Sequence, residues 1–289
     1  MEKLLITGSS GELGKAVKET LAGKYEIIGV DINPKNGDRE VDLRHFGDIY
    51  RALDEIDYVV HAASLHGIDI RSRLRLDFFE NNVKGTWNLV EAAYLQKVKK
   101  IIFVSTSSIY GSSVDNDSGE AWWLTESSNV NPSDVYDMTK LLGEEICQFY
   151  ADRLGLPILI YRVARFYVGP NVSDFHLKKA YMGIDVDDVV EALELGFSSD
   201  VNKGVYNISS AQTPFDVKDV QNLFDDAPKT LKDRKPEISE FMDKNKIEFP
   251  QSIKKVICID KAIKELGFDP KYSVEDILLS GDYKKHKSI

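Results

Sequence analysis

Cysteine is scarce: Cys147 and Cys258 are the only two in 289 residues. They lie far apart, one in a predicted helix and one in a short apolar strand. They therefore read as small buried apolar residues rather than as a disulfide or a metal pair. Positive charge is also in deficit. Against 47 acidic residues stand 37 Lys and Arg, giving a net charge of -10, and no basic block is long enough to make a nucleic-acid stripe. No apolar run approaches membrane-spanning length. The opening residues, MEKLLITG, lead directly into the first predicted strand and leave no room for a signal peptide. The expectation is a soluble, cytoplasmic protein with no metal, nucleic-acid or membrane partner. At this length, one large domain with a small appendage is expected.

What is present begins with TGSSGELG, Thr7 to Gly14, between the apolar run Leu4-Leu5-Ile6 and a helix-like AVKETLAGKY. A buried strand, a glycine turn and a helix N-terminus form a phosphate cradle, because backbone N–H groups and the helix dipole both favour an anion there. In the spacing Gly8-x-x-Gly11-x-x-Gly14, Gly8 permits the turn, Gly11 admits a pyrophosphate and Gly14 lets helix pack on strand. The run Tyr25 to Val30 reads as a second buried strand ending at Asp31. An acid there receives ribose hydroxyls and repels a 2′-phosphate, so NAD is preferred to NADP.

Further apolar runs at Arg39–Leu43, Asp57–His61 and Lys100–Val104 alternate with helical segments. This alternation predicts an α/β fold with a doubly wound parallel sheet and ligands at the carboxyl ends of its strands. The loop Ser64 to Asp77 carries His66, Arg71, Arg73 and Arg75, either to clamp an anionic substrate or as a solvated charged loop. A helix is expected over Phe78–Lys97, with Val83, Trp87, Val90 and Tyr94 marking its buried face. Asn81 and Asn82 near its start could bind backbone or cofactor. A helix follows Pro132 and Ser133 and stops at Gly155. Tyr136 and Lys140 share one face of it, and an ammonium beside a phenol would lower the phenol's pKa and make a general base. The segment Asp225 to Lys255, punctuated by Pro228, Pro236 and Pro250, reads as solvated helices of a small domain rather than as a lid.

Taken in register, the Gly8 to Gly14 turn, Asp31, Asp42-Leu43, His61-Ala62-Ala63, Asn82-x-x-Gly85-Thr86, Ser105 to Gly111 and Tyr136-x-x-x-Lys140 resemble the extended short-chain dehydrogenase/reductases. Within these they resemble the NAD-dependent epimerase/dehydratase branch. Arg162 to Pro170, Gly183 to Leu193, Gly204 to Ser210 and Asp260 to Leu278 continue the likeness. The resemblance implies a Rossmann domain over 1–167 and a small, interleaved substrate domain over 168–289. It implies NAD as cofactor, held by Gly8, Ser10, Gly11, Glu12, Leu13, Gly14, Asp31, Ile32, Asp42, Leu43, Ala62, Ala63, Asn82, Tyr136, Lys140 and Val163. It makes Tyr136 the base, Lys140 its tuner, and Thr106 the hydroxyl partner with Ser107 as fallback. His66, Arg71, Thr106 and Arg165 are the candidate substrate contacts. A homodimer is implied through the helix after the fourth strand and the Tyr/Lys helix, where Leu141, Leu142, Ile146 and Phe149 are apolar.

Three departures narrow the activity. Thr106-Ser107-Ser108 stands where dehydratases carry Thr-Asp-Glu, which disfavours dehydration. Arg165 replaces the asparagine that many nucleotide-sugar enzymes use. The segment between Gly169-Pro170 and Val186-Asp187-Asp188 is short, pointing to a smaller substrate. The expected activity is an NAD-dependent sugar epimerase or oxidoreductase. The alternatives are a compact dehydrogenase or reductase of a free sugar, sugar acid or aldehyde, and a non-catalytic NAD sensor.

Overall fold

The computed structural model describes residues 1–35, 37–111, 119–166, 178–210, 214–272 and 274. The chain divides into two compact units, each made of interleaved segments. One takes residues 1–109, 132–162 and 192–206, and the other takes 110–131, 163–191 and 207–289.

The glycine turn links β1 (Lys3–Thr7) to α1 (Glu12–Leu21), which returns to β2 (Glu26–Asp31). There follow β3 (Arg39–Glu40), α2 (Phe46–Ala52), β4 (Tyr58–His61), a short α3 (Arg75–Phe78), α4 (Gly85–Leu95) and β5 (Lys100–Thr106). After β6 (Trp122–Leu124) come the long α5 (Val135–Arg153), β7 (Ile158–Val163) and β8 (Lys203–Ile208). Seven strands form one sheet in the order β3-β2-β1-β4-β5-β7-β8, and the pairs from β3 through β5 are parallel. The order reverses between β1 and β4, the place where a doubly wound sheet is expected to receive a ligand, and Thr7 and His61 end these strands in register. Leu4, Leu5, Ile6, Val59, Val60, Ile101 and Ile102 are fully buried. Near-continuous apolar strands of this kind are expected of a sheet covered on both faces.

Two sequence expectations change. The third strand stops at Glu40 instead of Leu43, because Asp42 turns its carboxylate onto the Arg44 backbone N–H and side chain and starts the turn into α2. The predicted helix over Phe78–Lys97 is interrupted by a wider π-turn at Phe79–Lys84. Its buried face is Asn82, Gly85, Thr86, Leu89, Val90, Ala92 and Ala93, whereas Trp87 is 49% and Tyr94 40% exposed. The π-turn rotates the helix, so the small residues and Leu89 meet the sheet and the aromatics point away from it.

In the other unit, β6 pairs with β9 (Lys255–Ile257). Helices over Val220–Asp225, Ala227–Arg234 and Pro236–Asn245 share a core of Leu223, Leu231, Ile238, Met242, Phe249 and Ile253. Pro228 and Pro236 stand in the first turns of two of these helices, where a missing N–H costs nothing. These helices pack on one another and bury an apolar face. Cys147 and Cys258 are free and buried. Among the described residues no helix is long and apolar enough to cross a membrane, and no group of three or more metal-ligating side chains occurs.

Candidate active site

The glycine turn is built as tightly as its residues allow. Gly8 has φ +72°, and a Cβ there would stand 2.9 Å from the Ala63 backbone. At Gly14 a Cβ would meet the Ser9 Cα at 2.5 Å. Gly11 is the N-cap of α1 and no side chain caps it, which leaves the positive end of the helix to an anion. Leu13 is buried beneath the turn, and Glu12 pairs outward with Lys15. Asp31 accepts hydrogen bonds from the backbone N–H of Ser10 and of Asn33, and Ile32 beside it is exposed. Asp42 is bound to Arg44, whose guanidinium holds its carboxyl below the usual range. Leu43 uses its carbonyl to accept from Asn88. A glycine cradle with no room for side chains, an uncapped helix end and a carboxylate at the tip of β2 fit a dinucleotide's pyrophosphate and ribose.

At the ends of β1 and β4 a buried polar chain ties four elements together. Thr7 Oγ1 accepts from the Ala63 N–H and lies 2.8 Å from His61 Nδ1. The other ring nitrogen, Nε2, is 2.9 Å from Thr86 Oγ1, whose hydroxyl donates to the Asn82 carbonyl. Thr86 thus spends its proton on Asn82, so His61 carries its hydrogen on Nε2 and accepts at Nδ1 from Thr7. Burial, with the Lys140 charge behind it, lowers the imidazole pKa to about 3. The Asn82 side chain completes the chain by holding the Leu65 backbone on both sides and donating to Thr139 on α5. Of the two roles expected for Asn82, its amide is occupied with the backbone one. The Ala63 backbone is therefore held in place from behind.

Asp134 caps α5, accepting from the Asp137 N–H, and this places Tyr136 and Lys140 on the helix's buried face. The Thr106 hydroxyl, at the end of β5, pulls the pKa of the Tyr136 phenol down. Burial is the larger effect and, with Asp137 and Asp134, holds the phenol well above its ordinary value. The lowering expected from Lys140 does not occur. The Lys140 Nζ donates to the Val104 carbonyl at 2.6 Å and lies 4.2 Å from the centre of the Phe103 ring. Burial lowers this ammonium to about 8. Four-residue spacing puts the two side chains on one face, but the carbonyl at the end of β5 gives the ammonium a partner of its own.

Two residues missed in the sequence complete this corner. The Ser108 hydroxyl lies 2.9 Å from Thr106 Oγ1 and donates to Asp137 at 2.5 Å. Asp137, directly after Tyr136, also accepts from the Ser133 N–H. An acid next to the tyrosine, with a third hydroxyl two residues beyond the first, was the signal available. Ser107 is half-buried and opens the short turn Ser107–Tyr110.

His66 stacks on Tyr136, with centroids 4.9 Å apart and planes at 22°, so the loop after β4 does reach the site. Arg71, Arg73 and Arg75 are exposed. Val163 is buried at the end of β7. Arg165 belongs to the second unit, where its carbonyl accepts from the Ile184 N–H, and is exposed. The Gly169-Pro170 part of the arginine segment, and the tail beyond Val274, lie outside the described residues.

Residues 4–182 match the NAD dependent epimerase/dehydratase family. A uronate dehydrogenase from Pseudomonas syringae pv. tomato is 26% identical over 237 residues, 78% of this chain and 82% of that protein. A dTDP-D-glucose 4,6-dehydratase from Mus musculus is 35% identical over 190 residues, but these span 59% of this chain and only 52% of that protein. Among solved structures, a UDP-N-acetylglucosamine 4-epimerase from Bacillus cereus superposes with a TM-score of 0.69 at 23% identity, covering 97% of this chain and 99% of that one.

Proposed function

The chain belongs to the NAD-dependent epimerase/dehydratase family, whose match takes in more than half its length, and from that premise we propose that it oxidises a secondary alcohol of a sugar or sugar derivative with NAD. The observation carrying this reading is the placement of the buried Tyr136 phenol of α5 beside the carboxyl end of β5, where Thr106 presents a hydroxyl that pulls the phenol's pKa down. Two hydroxyls on one substrate oxygen are what alcohol oxidation needs, one to orient it and one to take its proton. When bound, NAD supplies the hydride acceptor. Gly8, Gly11 and Gly14 would receive its pyrophosphate, Asp31 its adenosine ribose, and Ala62 and Ala63 would wall the nicotinamide ribose. Lys140, held by the Val104 carbonyl, would bind the nicotinamide ribose.

Within that reading a dehydrogenase of a small sugar or sugar acid is preferred. The match to the uronate dehydrogenase runs along most of both chains, whereas the dehydratase match covers half of the enzyme. An epimerase is the second reading, supported by the full-length superposition on the Bacillus cereus epimerase, a chain of similar extent. Dehydration is disfavoured because Ser107 and Ser108 carry neither acid nor base, and the nearby carboxylate of Asp137 is engaged by Ser108 and Ser133.

The test is to denature the purified protein and measure nicotinamide nucleotide released per chain. A near-empty site that takes up NAD reversibly, with turnover of sugars or sugar acids, supports the dehydrogenase. Stoichiometric retained NAD points to the epimerase, and failure to bind NAD at all sinks both. We further propose a homodimer through α4 and α5, where Trp87, Tyr94, Met138, Leu142 and Phe149 are exposed.

A further inference from the structure

Between β2 and β3 the chain is exposed at Ile32, Asn33, Pro34, Lys35 and Gly37 and then buries one carboxylate. The Asp38 side chain is only 5% exposed. Its Oδ2 accepts from the Ser9 hydroxyl at 2.6 Å, and both of its oxygens accept from Lys18 Nζ, at 3.1 and 2.8 Å. Ser9 is a buried residue of the glycine turn, and Lys18 lies on α1. The contact depends on Gly29 of β2, where a Cβ would fall 2.2 Å from Asp38 Oδ1 and 3.0 Å from Ser9 Cβ. At the other end of this stretch, Ser10 donates from its hydroxyl to the Asn33 carbonyl and from its N–H to Asp31. Adjacent serines of the phosphate turn thus grip the two ends of the segment that leaves the ribose-binding acid.

We propose that Asp38 is a positioning residue for the adenosine half of the dinucleotide, latching the 31–38 segment to the glycine turn before cofactor arrives. This deepens the NAD-binding reading and rests on it. The physical argument is preorganisation. The exposed residues Ile32 to Lys35 have little apolar burial to hold them, so without the latch their ordering would be charged against binding. Inside the latch, one hydroxyl and one ammonium satisfy a carboxylate that could not stay buried alone. Removing the carboxylate frees the segment and leaves Lys18 and Ser9 without their shared acceptor. The strands on either side keep their ladder and their core.

The test is calorimetric titration of the full chain with NAD, AMP and nicotinamide mononucleotide. For Asp38→Ala the expected result is a roughly tenfold or greater loss of NAD and AMP affinity with mononucleotide binding unchanged. Asp38→Asn, which keeps an acceptor for Ser9 but loses the ion pair, should fall between. A general structural defect would weaken both halves alike, so equal losses overturn the proposal, as do NAD and AMP affinities within twofold of the parent. Should Asp38→Ala fail to fold by circular dichroism, Ser9→Ala decides the matter, and unchanged AMP affinity there overturns it. If the parent chain itself binds neither NAD nor AMP, it is the cofactor reading that fails.

Discussion

The imidazole of His66 lies nearly parallel to the phenol ring of Tyr136, 4.9 Å away. The backbone supports this placement: the His66 N–H donates to Asp69 and the Asp69 N–H returns to the His66 carbonyl, which fixes the start of the turn Gly67–Arg71. His66 therefore covers one face of the proposed base. His66→Ala should raise KM for the sugar-type substrate several-fold while NAD affinity stays at the parent value. Equal effects on cofactor and substrate would remove His66 from the substrate side of the site.

Tyr136 and Thr106 act together in the proposed reaction. Tyr136→Phe should lower kcat by about 10²–10⁴-fold, the usual worth of a positioned acid–base group, with NAD still bound. Thr106→Val should cost less, about 10–10²-fold, since it removes orientation but leaves the base. Ser107→Ala should be close to the parent, because the hydroxyl adjoining Thr106 in the structure is that of Ser108. A steady-state comparison of the three variants checks the order. Turnover unaffected in Tyr136→Phe would end the mechanism.

The glycine turn, Asp31 and the Tyr/Lys helix were legible in the sequence because each needs a residue type that nothing else replaces. Gly8 has positive φ, and Gly14 touches backbone. What was not legible depended on partners distant in sequence. Lys140 chose the Val104 carbonyl over the phenol, and no spacing rule reports which acceptor lies closer in three dimensions. Trp87 and Tyr94 were misread as core because periodicity finds an apolar face without saying what covers it. The Asp38 latch joins residues 29 apart through a glycine in β2 that sequence alone gives no reason to single out.

His61 gives the protein an acid-sensitive point. Its folded pKa, about 3, lies below the ordinary imidazole value of 6.5 because the ring is buried. The unfolded chain therefore takes up a proton that the folded one refuses as pH falls from 6.5 toward 3, and stability is lost across that window. Each unit of depression is worth about 1.4 kcal/mol. Urea midpoints measured at intervals across the window should fall with acid in the parent and fall less steeply in His61→Gln, even though the variant starts less stable at neutral pH. Identical slopes would mean the imidazole is already charged in the fold.

Tyr150 stands at the centre of the aromatic patch on α4 and α5. Trp87, Tyr94 and Phe149 make edge-on contacts with it at 5.8, 6.3 and 5.7 Å, and its hydroxyl donates to Glu91. Exposed aromatics grouped in this way mark an association surface. Phe149→Glu should convert a dimer to a monomer in light scattering without loss of helical signal. A parent chain that is already monomeric would withdraw the dimer.

Behind the site, Glu144 on α5 is fully buried and accepts from Arg162 through Nε and Nη2 and from the Ser105 hydroxyl at 2.5 Å. The triad joins α5, β5 and β7 one residue before Thr106, so it sets where the hydroxyl proposed to orient the substrate stands. Arg162→Met strands a buried carboxylate and should destabilise by about 3–5 kcal/mol. Replacing both partners, Glu144→Met with Arg162→Met, removes the stranded charge and should cost less than Arg162→Met alone. Denaturant unfolding of the parent, Arg162→Met, Glu144→Met and the double variant measures the coupling. If the double variant is no more stable than Arg162→Met, the buried carboxylate is not the source of the loss. Among the variants that fold, kcat should then track the displacement of Ser105 and Thr106 more closely than overall stability, because the reaction senses the hydroxyl's position.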